Sequence, residues 1–415
     1  MIDLEVPKKF VPLVRQAAGL ADQVFRPISR KYDLAEHEYP LELDLMSAVI
    51  DGLSDSGASQ GAGARTTSGG SGEPAGVGAG SRAARSKGGN VNGSNLSSVL
   101  SIMQTCRGDV GLTLSLPRQG LGNAAIAAVA NDEQKARYGS KWAAMAITEP
   151  DTGSDSGAIR TTAVKDGDDY VLNGEKIFVT SGERAELVVV WATLDRSLGK
   201  RAIKSFVVRR DNPGLKLERL EHKLGIRASD TAAFTLVDCR VPAEDLLGDP
   251  EVRIEGGFGG AMQTFDNTRP LVAAMAVGLA RASLDLTTEL LGRAGVIADP
   301  SAPAATQSYA AARLLQMESD YEAAYLLTLR AAWMADNGKP NSMQASMAKA
   351  KAGRTCVDIA LTCVQLCGAT GYAETELLEK WARDAKILDI FEGTQQIQLL
   401  VVARRLLELT SAELK

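Results

Sequence analysis

The sequence predicts an α+β fold in which an antiparallel β module lies between two helical blocks. Three observations carry this. The apolar period is helical up to residue 142 and again from 253, and it shifts toward two between 143 and 252. Connections inside the β stretch are short turns, which suit antiparallel neighbours and disfavour the helical crossovers of a Rossmann fold. The flanking blocks are rich in Ala, Leu and Met, as expected of helices that pack on one another. The domains are accordingly 1–142, 143–252 and 253–415.

In chain order, Leu13, Ala17, Leu20 and Val24 form one helical stripe. From Ser54 to Asn95 nearly half the residues are Gly or Ser and aromatic residues are absent. Such a stretch buries too little apolar surface to offset its ordering entropy and is expected to be a long loop. Its run Gly76-Val77-Gly78-Ala79-Gly80 follows no strand and precedes no Gly-Lys-Ser/Thr, so a nucleotide loop is disfavoured. Helical patterning returns from Leu96 to Tyr138. Tyr170 to Leu172 and Lys176 to Val179 flank Asn173-Gly174, a pair that suits a tight hairpin. Leu187 to Trp191, Ser205 to Val208 and Ala232 to Val237 read as further strands, with a turn at Asp211-Asn212-Pro213-Gly214. Leu271 to Leu291 reads as a helix, and Ile397, Leu400, Arg404 and Leu407 repeat at helical spacing.

Composition excludes several classes. Lys plus Arg total 46 against 51 Asp plus Glu, a net charge of −5, which disfavours nucleic acid and anionic membranes as partners. No run of about 18 apolar residues is apparent, and the acidic start Met1-Ile2-Asp3 lacks a signal or transit pattern, so a cytoplasmic location is expected. The 2 histidines, His37 and His222, weaken a histidine triad or multi-histidine metal site, and no metal is expected. Cys106, Cys239, Cys356, Cys363 and Cys367 read as reduced packing residues.

Two segments suggest chemistry. Ile147-Thr148-Glu149-Pro150-Asp151-Thr152-Gly153-Ser154-Asp155 offers hydroxyls beside a glycine that admits a ligand to the backbone, though a plain helix-to-strand loop reads the same way. In Ile390-Phe391-Glu392-Gly393-Thr394-Gln395-Gln396-Ile397 a carboxylate stands between an aromatic residue and Gly-Thr. In a dry apolar setting Glu392 would be a strengthened base; on the surface it would be an acid favoured by a helix N-terminus.

Together with Tyr170 to Gly182, Lys223 to Asp230, Phe265 to Pro270, Gln365 to Gly371 and Arg383 to Gln398, these strings closely resemble the acyl-CoA dehydrogenase family, over about residues 96–290 and 307–408. The resemblance implies an N-terminal helical domain, a β-barrel-like middle domain and a C-terminal four-helix bundle. It implies FAD held by Met145, Ile147, Thr148, Ser154, Phe178 and Thr180, the last two matching an aromatic-x-Thr in which Phe178 replaces the usual Trp. Gln365, Leu366, Cys367, Gly368 and Gly371 match a segment reaching a neighbouring subunit's FAD. Thr394 and Gln396 match further FAD contacts, and Arg293 and Gln307 match FAD-binding positions at a subunit interface. Ser154, Asp266, Thr268, Arg269 and Gly393 match positions near the acyl-CoA.

Glu392 matches the catalytic base, which takes the α-proton of the thioester while the β-hydrogen leaves as hydride. Charge developing on the thioester oxygen needs aimed donors, which in the family are the base's backbone N–H and a ribityl hydroxyl. A second lineage has its base at the position of Thr268; threonine cannot serve. The implied reaction is oxidation of an acyl-CoA to a trans-2-enoyl-CoA in fatty acid β-oxidation, with electrons passed to electron-transfer flavoprotein. The chain departs from the family in its Gly/Ser-rich stretch, the short span from Tyr138 to Met145, and Arg293-Ala294-Gly295-Val296-Ile297, where a Phe-Gly pair is usual. A homotetramer or dimer is implied, and the missing aromatic also admits a heterotetramer with a related chain. The alternatives are a half-site or non-catalytic subunit, and a flavin oxidase or monooxygenase, against which Glu392 speaks.

Overall fold

A computed structural model of the chain describes residues 5–44, 90–117, 120–252, 259–410 and 413–414, with the side chains of 259–267 outside the description. The Gly/Ser-rich stretch lies largely outside the described residues. The order is helices, then sheet, then helices. Helix α1 (Val11–Leu20) passes through a wide turn at Ala21–Phe25 into α2 (Arg26–Leu34). The chain re-enters the described fold at residue 90 and forms α3 (Ser94–Gly108), whose first turn is capped from a distant helix. The Asp336 carboxylate accepts from the backbone N–H groups of Gly93, Asn95 and Leu96 at 2.8, 2.9 and 3.0 Å. These are the donors an α-helix leaves unpaired at its start. Asp109 caps the next short helix, α4 (Val110–Leu114), and α5 (Leu121–Val129) and α6 (Asp132–Tyr138) lead to the sheet.

The strands are β1 (Ala143–Ala146), β2 (Thr162–Asp166), β3 (Asp169–Thr180), β4 (Leu187–Thr193), β5 (Ile203–Arg209), β6 (Leu215–Leu220) and β7 (Thr231–Pro242). They form one curled sheet of order β1-β4-β2-β3-β7-β6, with β5 on β4. The sheet is mixed, correcting the antiparallel expectation: β4 pairs in parallel with β1 and with β2. Short turns constrain only consecutive strands to be antiparallel; β1 and β4 are not consecutive, and the long connections leave their direction open. Central strand β4 is buried along its whole length. Its Val188 and Val190 face one core with Phe206 and Phe234, while Val189 and Trp191 face another with Ala125 and Ile126 of α5.

The hairpin expected at Asn173-Gly174 is not there. Strand β3 runs straight through it, and the reversal lies at Gly167, in the left-handed region at φ 62° between β2 and β3. Gly174 serves close approach instead, because a Cβ there would stand 2.5 Å from the Thr161 hydroxyl.

The C-terminal block comprises α7 (Gly259–Arg293), α8 (Tyr309–Asp336), α9 (Ser342–Tyr372), α10 (Leu378–Leu388) and α11 (Gln395–Leu406). Its stretch Thr268–Arg293 is long and apolar enough to cross a bilayer, although polar residues interrupt its apolar run. It is mostly buried at the centre of the helical core, with Leu271, Val277 and Leu284 packed among Met103 of α3, Cys356 and Cys363 of α9, and Trp381 of α10. All 5 cysteines are free, as expected.

Candidate active site

Two clusters emerge from the residues singled out by sequence. The first is built where β1 runs on beside β3. Ile177 N–H donates to the Thr148 carbonyl at 2.9 Å, and the buried Lys176 ammonium donates to the Ile147 carbonyl at 3.2 Å and to Glu149 at 2.7 Å. Glu149 also accepts from Arg160 N–H at 2.6 Å and from Thr161 through both N–H and hydroxyl. Its carboxyl is held below the usual range despite burial, which acts in the opposite sense, because Lys176 and these donors favour its charged form. Burial outweighs Glu149 at Lys176 and lowers the ammonium to about 8. With the carboxylate this close, the pair stays ionised at neutral pH. It pins the loop that carries Thr148 and Ser154.

Beyond this anchor the ladder between β3 and β7 shifts register between Lys176 and Val179, and Phe178 is pushed out there at φ 56°. A left-handed phenylalanine is strained, and this one is 59% exposed, so no packing within the chain compensates it. Beside it are the half-buried hydroxyl residues Thr148 and Thr180, buried Met145 and Ile147, and exposed Ser154. The buried Thr152 hydroxyl, in the same loop, has no hydrogen-bond partner among the described residues. The exposed Phe178 ring beside these hydroxyls, with Met145 and Ile147 buried beneath, suits a flat ligand with an apolar face and a polar edge.

The second cluster surrounds Glu392. Helix α10 ends at Leu388, and α11 starts after Thr394, whose hydroxyl accepts from Ile397 N–H at 3.3 Å. Between them Glu392 and Gly393 both take positive φ, 58° and 90°. This turn is tied from two sides. Buried Gln398 donates to the carbonyls of Glu392 at 2.8 Å and Gly393 at 3.3 Å, and Lys349 of α9 donates to the Gly393 carbonyl at 2.7 Å. The Thr268 hydroxyl on α7 donates to Glu392 Oε2 at 2.8 Å, and buried Arg269 follows it. Burial pushes the Glu392 carboxyl up, offset in part by the Thr268 bond and the charges of Arg269 and Lys349. Burial also lowers Lys349, to about 8. Desolvation raises the proton affinity of this half-buried carboxyl, and its carboxylate form can take a proton from carbon as a general base.

Other expected positions stand apart from these clusters. Arg293 is exposed and pairs with Glu289 one turn back; Gln307 braces its own loop through the carbonyls of Asp299 and Ala302. Gln365 and Gly368 are exposed near the end of α9, which kinks at Gly368; Leu366 and Cys367 are half-buried and Gly371 is buried. Gln396 is exposed on the first turn of α11. The side chain of Asp266 lies outside the described residues. Sequence reasoning missed Lys349 and Gln398. A lysine in Met347-Ala348-Lys349-Ala350-Lys351 looks like any solvated helix face, and only the packing of α9 against the turn shows otherwise.

Comparison with known proteins identifies the family and the fold. The model of the acyl-CoA dehydrogenase middle domain matches residues 144–239, and that of the acyl-CoA dehydrogenase C-terminal domain matches 255–407. Among curated proteins, the mitochondrial short-chain specific acyl-CoA dehydrogenase of Mus musculus is 41% identical over 269 residues, which are 65% of this chain and 64% of that protein. The probable acyl-CoA dehydrogenase YngJ of Bacillus subtilis is 35% identical over 295 residues, covering 69% of this chain and 76% of its own length. Among solved structures, butyryl-CoA dehydrogenase from Megasphaera elsdenii superposes with a TM-score of 0.80 at 29% identity, over 98% of this chain and 100% of that one.

Proposed function

Because the chain belongs to the acyl-CoA dehydrogenase family, whose members are FAD-dependent flavoproteins, we propose that it oxidises an acyl-CoA thioester to the trans-2-enoyl-CoA. The observation that carries this is Glu392, a desolvated carboxyl on a strained turn with a single hydrogen bond among the described residues. FAD, when bound, supplies the acceptor for the β-hydride. The chain's own residues do the rest. Met145, Ile147, Phe178, Thr148 and Thr180 form the wall and rim that would hold the flavin, and Ser154 faces the solvent side where a CoA arm would enter. Glu392 removes the α-proton, and its own backbone N–H is the donor assigned to the thioester oxygen. Thr268 holds Oε2, and Arg269 and Lys349 favour the ionised carboxylate, the form that acts as the base. Gln398 and Lys349 hold the turn against the pull of the reacting carbon.

The names of the relatives point first to short acyl chains, and electron-transfer flavoprotein is the proposed electron acceptor. Exposed Arg293, Gln365 and Gln396 suit contacts with a second subunit, homomeric or related, rather than with the chain's own site. The test is anaerobic titration of the purified yellow protein with acyl-CoAs of increasing length, following flavin absorbance. Short acyl-CoAs are expected to bleach it, and Glu392→Gln is expected to keep the colour and lose the bleaching. Bleaching at the parent's rate in that variant would remove Glu392 from its role.

A further inference from the structure

The chain has only 2 histidines, and the fold brings them together. His37 lies on the turn that follows α2, and His222 on the loop between β6 and β7. Their ring centroids are 4.9 Å apart, tilted by 57°. Glu36 completes the group: its Oε2 is 2.9 Å from His222 Nδ1, and its Oε1 accepts from Lys223 N–H at 2.9 Å. One ligand atom from each of Glu36, His37 and His222 can be chosen so that all lie within 4.8 Å of one another.

Two features separate this group from an ordinary surface contact. Both ring nitrogens of His37 are buried and have no hydrogen-bond partner among the described residues. Buried polar atoms are nearly always paired, and leaving one unpaired costs stability. The same residue sits at φ 75°, at the third position of a turn closed by Glu38 N–H on the Ala35 carbonyl at 3.0 Å, where glycine would be the cheaper residue. The turn is also rigid. Arg184, from the end of β3, donates to the carbonyls of His37 and Glu38 at 3.4 and 3.1 Å and pairs with buried Asp230.

We propose that Glu36, His37 and His222 form a binding site for a borderline divalent cation such as Zn2+, fastening the N-terminal helices to the β module. Two imidazoles and one carboxylate are a ligand set such ions favour, and hard Mg2+ does not. A tetrahedral zinc site spaces its ligands roughly 3.3 Å apart for bonds of about 2.0 Å. Closure therefore needs a short swing of the His222 ring, whose side chain is 82% exposed. Coordination exchanges the His222–Glu36 hydrogen bond for two metal bonds and gives His37 the partner it lacks. The exposed side of His222 leaves a fourth position for water. Lys223 is the cation that opposes the site most directly, and its ammonium is turned to the Ser229 carbonyl at 2.8 Å.

Equilibrium dialysis of the full-length, flavin-loaded protein against Zn2+, with metal counted by atomic emission, tests this. One zinc per chain is expected, undiminished by excess Mg2+, with a rise in melting temperature. His37→Gly and His222→Ala should each weaken binding by at least about tenfold. His37→Gly also relieves the left-handed strain, so a folded variant that has lost zinc answers the objection that the site merely unfolded. Flavin content and turnover should not change in either. Substoichiometric zinc, competition by Mg2+, or binding that survives either substitution overturns the site.

Discussion

Two buried charge clusters in this molecule look alike by residue type and behave oppositely. Around Lys380, 2 aspartates share one ammonium: Lys380 Nζ stands 2.5 Å from Asp109 Oδ2 and 2.6 Å from Asp384 Oδ2. The remaining acceptor sites are filled as well, by the Ser29 hydroxyl and Leu112 N–H on Asp109 and by Ile226 N–H on Asp384. Every carboxylate oxygen there accepts a hydrogen bond, and the donors come from α2, α4, α10 and the β6–β7 loop. Around Glu392 one carboxylate accepts one hydrogen bond among the described residues, with Arg269 and Lys349 favouring its charged form. The two differ in satisfaction as well as in burial, Glu392 being only half-buried. A fully paired buried charge is an element of architecture, because removing any member strands the others. Burial raises the Asp384 carboxyl as it raises that of Glu392, but Asp384 is held by Lys380 and Ile226 N–H, whereas Glu392 accepts from the Thr268 hydroxyl alone among the described residues.

Substituting the two centres should expose that contrast most strongly. Glu392→Gln is expected to cut turnover by about 10²- to 10⁴-fold, the usual worth of a general base. Its stability should move the other way. A carboxyl raised in the fold binds its proton more tightly than in the unfolded chain, so its stabilising contribution is full in acid and is lost as pH rises through the folded value. Glu392→Gln should therefore melt higher than the parent above that pH and equal to it in acid. Equal melting throughout would mean that the carboxyl is not desolvated. Lys380→Met should do the reverse: it leaves two buried aspartates uncompensated and costs about 3–5 kcal/mol by denaturant titration. A loss under about 1 kcal/mol would make the Lys380 cluster as underpaired as the Glu392 one.

These two centres were not equally legible in the sequence. Glu392 could be found because its turn, its aromatic neighbour and the helix it starts are contiguous, so Phe391-Glu392-Gly393-Thr394 carries the local geometry with it. Whether it was a dry base or a solvated helix-start acid could not be read, since desolvation comes from α7 and α9. The Lys380 cluster was invisible: only Lys380 and Asp384, four apart on α10, show any linear relation, and that spacing also describes an ordinary exposed pair. The alternation of apolar residues revealed most strands, but the pairing of β1 with β4 depends on the path between them. The misplaced hairpin has the same origin. Asn173-Gly174 permits a turn without requiring one, and the tight approach of Thr161 decided its use. The two histidines, read one by one, argued against a shared site that only the docking of α2 on the β6–β7 loop assembles.

A sharper probe of the underpaired centre is Lys349→Met. The ammonium favours the ionised form of Glu392, so its removal should move the base-dependent limb of the kcat/KM profile to higher pH. If Lys349 served only to hold the Gly393 carbonyl, activity would fall evenly across pH with the limb in place. The turn itself is next in size. Gly393→Ala puts a side chain at φ 90°, with its Cβ 2.2 Å from the buried Gln398 amide, and should cost about 1–3 kcal/mol together with part of the turnover.

Phe178 supplies the smallest effect on stability and completes the contrast from the β side. Its backbone is strained as that of Glu392 is, yet its ring packs on little within the chain. Asparagine tolerates the left-handed region better than phenylalanine, so Phe178→Asn should leave stability within about 0.5–1 kcal/mol of the parent or raise it slightly. If the ring is held out as one wall of the flavin site, the same variant should lose bound flavin on gel filtration although its fold is intact. Flavin retained in full, with melting unchanged, would leave the strain at Phe178 without a ligand to justify it. The first cluster would then be a structural loop joined to a catalytic carboxylate, not the second half of one site.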